Sequence, residues 1–122
     1  MTALYSDKLL DHFRHPRNYG ALTNPDISYE SFNPLCGDRI RIELKIGDNC
    51  VKVVRFRGDG CAISIAAASL LTEVILNTDP DKISDDQLLA ALESDIKPAR
   101  IQCALLPLEA LRAGLKIYDE QH

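Results

Sequence analysis

Four side chains in this 122-residue chain have the types and settings expected of a metal or sulfur site. Cys36 and Asp38 share the turn sequence NPLCGD, Cys61 follows the sequence GDG, and Cys103 lies near the start of a predicted helix. Glycine beside a cysteine lets a ligand approach the backbone closely, and a helix N-terminus favours the thiolate. Three thiolates and one carboxylate supply the four donors of a tetrahedral zinc site, and they would hold an iron–sulfur cluster less firmly than four thiolates.

Each cysteine also has an ordinary structural interpretation. The three candidate ligands are 25 and 42 residues apart, and the chain has no C-x-x-C pair, so spacing alone is a weak indicator of metal binding. Cys50 falls in a predicted strand and is interpreted as a structural residue. His12 and His15, in and just after the first predicted helix, are interpreted as surface or packing residues.

Composition places the chain among ordinary globular proteins. Hydrophobic residues make up 46% and charged residues 26%, which is not the pattern of a disordered chain. The net charge of −4 argues against nucleic acid as the main ligand. Neither a secretory signal nor a membrane-spanning stretch is evident in the sequence. We therefore expect one domain over residues 1–122, cytoplasmic, with reduced thiols and no membrane or nucleic-acid partner.

The elements that must position these residues follow from periodicity. Residues 39–46 alternate strictly, which predicts a strand with its isoleucines and Leu44 buried and with Arg39, Arg41, Glu43 and Lys45 in solvent. The sequence GDN at 47–49 predicts a hairpin turn, and Pro107 is placed near the start of the last helix. Strands segregated from helices indicate an α+β fold, a three-stranded antiparallel sheet with an N-terminal helix and C-terminal helices packed on it. The predicted helices are 4–14, 62–77, 84–93 and 102–118, and the strands are 27–32, 39–46 and 50–56.

Four stretches together resemble a known family: HFRHPRNYG (12–20), NPLCGDRIRIEL (33–44), FRGDGCAISIAAASLLTE (56–73) and PARIQCALLPLEAL (98–111). They are similar to the IscU/NifU/SufU family of iron–sulfur cluster assembly scaffolds. The resemblance implies that Cys36, Asp38, Cys61 and Cys103 converge and bind zinc, iron or a nascent [2Fe–2S] cluster. It also implies that a cysteine desulfurase supplies persulfide sulfur, with Cys36 and Cys103 as candidate acceptors, and that the cluster passes to apo-proteins.

The branch of the family is mixed. The motifs around the cysteines resemble SufU-type sequences, but the gap between the second and third cysteines has the IscU length. Gln102 occupies the position where IscU types have histidine, and DIKPAR (95–100) replaces the segment that IscU types present to a chaperone. Arg100 is interpreted either as a partner of Asp38 or a thiolate, or as an exposed loop residue.

Three functions follow from this resemblance and from the donor set. The first is a scaffold that accepts sulfur and iron, assembles a labile [2Fe–2S] cluster and transfers it, as a sulfur acceptor rather than a classical enzyme. The alternative is a zinc-dependent sulfurtransferase partner, which keeps zinc and accepts persulfide from the desulfurase. The third is a zinc-stabilised interaction domain, which is disfavoured because structural zinc sites usually have closely spaced ligand pairs. The sequence leaves the oligomeric state open.

Overall fold

The computed structural model describes residues 5–122 and confirms the predicted α+β fold. Two short 3₁₀ helices, Pro80–Lys82 and Pro98–Arg100, lie where the sequence predicts loops. Within residues 5–122, no helix combines the length and apolar character needed to cross a membrane. The main elements are α1 (Asp7–Arg14), β1 (Ile27–Asn33), β2 (Asp38–Gly47), β3 (Cys50–Asp59), α2 (Ala62–Ile75), α3 (Asp85–Ala91) and α4 (Ile101–Gln121).

The sheet is an antiparallel meander in the order β1–β2–β3. Asp48 and Asn49 form the predicted hairpin turn, and their φ angles of 52° and 61° suit a two-residue turn that matches the strand twist. At the other end of β2, Asn33 pairs with Asp38 and closes the β1–β2 turn. The two turns therefore lie at opposite ends of β2.

Helix α2 is the centre of the core, packed between the sheet, α1 and α4. Nearly all of its residues are buried, including the run Ala66, Ala67 and Ala68 that predicts close packing. Small side chains let neighbouring elements approach the helix axis. Because α2 is fixed on several sides, its N-terminal residue Cys61 has a fixed position as well.

Helix boundaries differ from the prediction by a few residues. Helix α1 begins at Asp7 because Ser6 caps it, accepting a hydrogen bond from Leu9 N–H at 3.1 Å. The predicted apolar position Leu4 lies outside the described residues. Phe13, predicted on the buried face, is 40% exposed. Helix α2 ends at Ile75, before the predicted residue 77, because Asn77 has a φ of 64° and Leu76 bridges β3.

Pro107 lies in the interior of α4, and the prediction that it is near the helix start is wrong. The helix begins at Ile101, directly after the 3₁₀ turn that ends at Arg100. Pro107 has no N–H to donate to the carbonyl of Cys103, four residues earlier. The turn that carries Cys103 therefore lacks one backbone hydrogen bond of a regular helix.

Glu43 is buried, although alternation predicts it in solvent. It accepts hydrogen bonds from Leu22 N–H at 2.8 Å and from Arg41 Nε and Arg57 Nη1 at 3.2 Å each. Burial by itself raises the pKa of Glu43, but these donors outweigh it and hold the pKa below its usual value. Glu43 thus ties the segment that precedes β1 to the outer face of the sheet.

A polar contact joins α1 to α2. His12 is buried, with Nδ1 2.7 Å from Ser69 Oγ and Nε2 3.3 Å from Glu73 Oε1. Ser69 Oγ also accepts the Arg17 N–H at 2.8 Å. Burial, followed by the positive charge of Arg17, lowers the pKa of His12. His12 is therefore a packing residue that the fold keeps neutral.

We expect stability to fall as the pH drops through 6.5, the unperturbed pKa of histidine. The unfolded chain protonates His12 before the folded chain does, so the contribution of His12 is complete above that pH and lost below it. His12→Gln should flatten the decrease between about pH 7.5 and pH 5.5. Urea unfolding across this range tests it, with His122→Gln as a control that should keep the wild-type slope. If the free energy of unfolding of His12→Gln falls with pH as steeply as that of the wild type, His12 is not the group responsible.

Gly58→Ala should destabilise the protein by about 2 kcal/mol or more. A Cβ at Gly58 would overlap the Arg39 carbonyl oxygen and lie 3.0 Å from Ile40 Cα, and neither backbone atom can move without separating β2 from β3. The matched control is Gly47→Ala, whose Cβ would meet the flexible Lys52 side chain at 3.1 Å. In urea unfolding, the free energy of unfolding of Gly58→Ala should be well below that of Gly47→Ala. Equal losses of stability in the two variants would contradict this explanation.

Candidate metal centre

Cys36 lies at the tip of the β1–β2 turn and is exposed. Asn33 holds the turn through its carbonyl, which accepts the Gly37 N–H at 2.8 Å, and through its Oδ1, which accepts the Leu35 N–H at 3.1 Å. Gly37 has a φ of 74°, a conformation that glycine adopts without strain. The turn thus presents the Cys36 thiol to solvent from a fixed backbone.

Asp38 is the first residue of β2 and is 2% exposed. Its Oδ1 accepts the backbone N–H of Cys61 at 3.2 Å, and its Oδ2 lies 3.6 Å from Cys61 Sγ. Gly60 makes this approach possible, because a Cβ there would overlap Ser64 Oγ and lie 3.2 Å from the Asp38 carboxylate. The strand end and the start of α2 are therefore joined through this carboxylate.

Cys61 is the N-cap residue of α2, and its side chain makes no capping hydrogen bond. Its carbonyl accepts the Ser64 hydroxyl at 3.1 Å, and its Sγ lies 3.8 Å from the same Oγ. The sulfur is thus at the N-terminal, positive end of a 14-residue helix. The sequence pointed to the glycine beside Cys61 but not to Ser64 as a supporting residue, although the spacing from Cys61 to Ser64 is that of an N-cap and its N3 position.

Cys103 lies in the first turn of α4 and is fully buried. Its Sγ is 3.4 Å from Cys36 Sγ, and both residues are free cysteines. Burial raises the pKa of the Cys103 thiol, and the hydrogen bond with Cys36 and the charge of Cys61 raise it further. Without a cation, this sulfur is therefore a thiol at neutral pH.

The fold brings the four predicted ligands to one end of the molecule. Ligand atoms of Cys36, Asp38 and Cys103 all lie within 4.8 Å of one another, and Cys61 adjoins this group through Asp38. Sulfur ligands of a tetrahedral zinc ion, with Zn–S bonds near 2.3 Å, are separated by roughly 3.8 Å. The 3.4 Å between Cys36 and Cys103 is close to that value. The spacing of Cys36, Asp38 and Cys103 fits zinc or iron bound by thiolates and one carboxylate, whereas Cys61 is outside this compact group and contacts it at Asp38.

The other residues singled out from the sequence lie elsewhere or outside the ligand group. Cys50 pairs with Gly47 at the hairpin end of the sheet. Arg100 is exposed and makes no ion pair with Asp38 in the described structure, but the charge of Cys61 and a hydrogen bond with Cys103 raise the pKa of its guanidinium. Gln102 is exposed beside the β1–β2 turn.

A family model described as the NifU-like N terminal domain matches residues 4–122. The chain belongs to this family. SufU of Bacillus subtilis (strain 168), named a zinc-dependent sulfurtransferase, is 36% identical over 135 positions, covering 94% of this chain and 91% of the relative. IscU of Escherichia coli (strain K12), named an iron–sulfur cluster assembly scaffold protein, is 32% identical over 124 positions, covering 96% of this chain and 95% of the relative.

Solved structures of the family share the fold. A putative scaffold protein for the SUF system from Fervidobacterium islandicum AW-1 superposes with a TM-score of 0.79 at 22% identity, covering 92% of this chain and 96% of that one. The NifU-like protein of Brucella abortus superposes with a TM-score of 0.81 at 18% identity, covering 98% of this chain and 96% of that one. The predicted resemblance to the IscU/NifU/SufU family is therefore confirmed. The alignment with SufU has more positions than the 122 residues of this chain, so that relative carries residues absent here.

Proposed function

We propose that this NifU-type domain is a scaffold that accepts sulfur from a cysteine desulfurase, assembles a labile [2Fe–2S] cluster and transfers it to apo-proteins. The observation that carries the proposal is the gathering of Cys36, Asp38, Cys61 and Cys103 from the β1–β2 turn and two helix starts. A site built only for stability usually has closely spaced ligand pairs, whereas these three cysteines are 25 and 42 residues apart. Named scaffolds among the relatives support the same function.

Sulfur would enter at Cys36. Its thiolate attacks the outer sulfur of the desulfurase persulfide, a new S–S bond forms, the donor's S–S bond breaks and the donor cysteine leaves as a thiolate. Of the two candidate acceptors, Cys36 is exposed and Cys103 is buried, so Cys36 meets the donor first. Cys103 Sγ, 3.4 Å away, is then within reach of the sulfur that Cys36 carries.

The three thiolates would hold the irons of the cluster, and Asp38 would keep one position exchangeable. Carboxylate oxygen binds soft metal centres less firmly than thiolate does. The backbone N–H of Cys61 hydrogen-bonds Asp38 and holds the carboxylate at the site without a covalent bond. Loading requires loss of the Cys103 proton, because metal binding needs the thiolate.

Anaerobic incubation with a cysteine desulfurase, cysteine, ferrous iron and a thiol reductant, which supplies the electrons that convert persulfide sulfur to sulfide, tests this function. We expect the visible absorption bands of a [2Fe–2S] cluster on this chain. When an apo-protein is then added, the bands of this chain should fade as the apo-protein takes up the cluster and becomes active. The control mixture omits the desulfurase. Because it then has no source of sulfide, it should give no bands. Absence of bands in the complete mixture, with iron in excess and zinc removed, would refute the scaffold function.

A second function is favoured by the similarity to SufU and by the fit of the donor set to a tetrahedral zinc ion. In that case zinc stays bound while a ligand cysteine accepts the persulfide sulfur. Mass spectrometry of the zinc-loaded chain after incubation with desulfurase and cysteine separates the two functions. Persulfide on one cysteine with zinc retained supports the zinc-dependent transfer, whereas a cluster that replaces zinc supports the scaffold.

A further inference from the structure

The outer face of the sheet, opposite the helices, has an unusual charge balance for this chain. Ile40, Ile42 and Leu44 of β2 point into the core, so the alternate residues of each strand face outward. Outward positions hold five of the 14 basic residues but three of the 18 acidic ones, in a chain with a net charge of −4. The basic residues are Arg39, Arg41, Lys45, Arg55 and Arg57, and the acidic ones are Glu30, Glu43 and Asp59.

Exposed apolar side chains lie at the end of this face nearest the candidate metal centre. Phe32 is 55% exposed, and Leu35, next to Cys36, is 91% exposed. The Arg39 guanidinium lies 6.0 Å from the centroid of the Phe32 ring. Phe32 and Leu35 also line a groove of about 320 Å³ against α4. An aromatic side chain, an aliphatic one and an arginine thus lie together on the exposed surface beside the exposed Cys36.

Two further arginines extend this surface across the strands. Arg41 and Arg57 are paired in the sheet register and share the buried carboxylate of Glu43, leaving their side chains 35% and 41% exposed. Within residues 5–122, no carboxylate lies within 4.0 Å of a side-chain nitrogen of Arg39. We call Phe32, Leu35, Arg39, Arg41 and Arg57 the sheet-face patch. It offers cationic groups around an apolar centre.

We propose that the sheet-face patch is the docking surface for acceptor proteins whose own surface is acidic. Exposed aromatic and arginine residues are the types that dominate binding energy at protein interfaces, and a basic patch selects a partner of opposite charge. The proposal rests on the scaffold function. Sulfur delivery brings a single persulfide to Cys36, but cluster transfer must bring several acceptor thiolates to the site together. Such a transfer requires the acceptor to bind beside the β1–β2 turn, and the sheet-face patch is an exposed surface at that place.

Binding of an acidic apo-[2Fe–2S] ferredoxin to the full chain tests the proposal. At low salt, calorimetry should give a Kd that rises about tenfold in Arg39→Glu and by a similar factor in Phe32→Ala, and the wild-type affinity should fall with added salt. The matched control is Lys116→Glu, the same charge reversal on an exposed residue of α4, which should bind within about twofold of wild type. Circular dichroism verifies that each variant is folded.

The contrary results are distinct. Wild-type ferredoxin affinity in both patch variants, or an equal loss in Lys116→Glu, would overturn the docking surface. Loss of desulfurase binding with ferredoxin binding unchanged would assign the patch to the sulfur donor and overturn its role with acceptors. A change in the oligomeric state of the patch variants, with ferredoxin affinity kept, would assign it to a second copy of the chain. The cluster-assembly assay tests the scaffold function separately. If the chain assembles a cluster but the ferredoxin-binding results contradict the prediction, only the docking surface is refuted.

Discussion

Replacing Cys36, Cys61 or Cys103 by serine should abolish stoichiometric zinc binding, whereas Cys50→Ser should keep one zinc ion per chain. Each of the three sulfurs adjoins the Asp38 carboxylate or another sulfur of the group, and a serine hydroxyl is a poor substitute for thiolate. Changes that merely disturb residues behind a ligand weaken metal affinity about 10–100-fold, so we expect loss of a ligand to cost roughly 100-fold or more. Elemental analysis after dialysis against a competing chelator measures this directly.

Cys50→Ser is the matched control because it makes the same chemical change at the hairpin end of the sheet. Full zinc content in any one of the Cys36, Cys61 or Cys103 variants would remove that residue from the ligand set. Zinc loss in Cys50→Ser, with its fold intact by circular dichroism, would mean that the site recruits a residue that the structure places elsewhere. Either result would require a different arrangement of the metal centre.

Asp38→Ala should make a bound cluster longer-lived and its delivery to an apo-acceptor slower, each by about tenfold, which corresponds to about 1.4 kcal/mol in barrier height. Asp38 is the oxygen donor of the set, so exchange with an incoming thiolate begins there. Asp38 is also buried, so replacing its carboxylate by a methyl group makes that side of the site apolar. The decay of visible absorption and the recovery of acceptor activity measure the two rates.

The matched control for Asp38→Ala is Asp119→Ala, which changes an exposed aspartate of α4 far from the site. Asp119→Ala should transfer its cluster at close to the wild-type rate. Delivery from Asp38→Ala at the wild-type rate would show that exchange does not begin at Asp38. A shorter cluster lifetime in Asp38→Ala would show that the carboxylate holds the cluster rather than keeping it labile.

The strands and the α+β order were predictable because they follow from local periodicity. Residues 39–46 alternate so regularly that β2 could be placed within a residue of its observed limits, Asp38 and Gly47. The GDN hairpin was predictable for the same reason, since Asp48 and Asn49 tolerate positive φ. The four candidate ligands were named from their local settings, and the family resemblance then implied that they converge, which spacing alone could not show.

Features that depend on distant parts of the chain were not predictable. Glu43 alternates like a solvent residue, and it is buried because Leu22 and two arginines from different strands cover and neutralise it. His12 is buried by Ser69 and Glu73 of another helix. Such contacts join residues far apart in sequence, and no local pattern encodes them.

X-ray absorption at the zinc edge tests the central claim most directly, because it counts the atoms bound to the ion in the full chain loaded with one zinc. We expect three sulfur neighbours at about 2.3 Å and one lighter oxygen or nitrogen neighbour at about 2.0–2.2 Å, and we expect Asp38→Ala to change only the lighter shell. Two or fewer sulfur neighbours in the wild-type chain, or a lighter shell unaffected by Asp38→Ala, would contradict a centre built from Cys36, Asp38, Cys61 and Cys103.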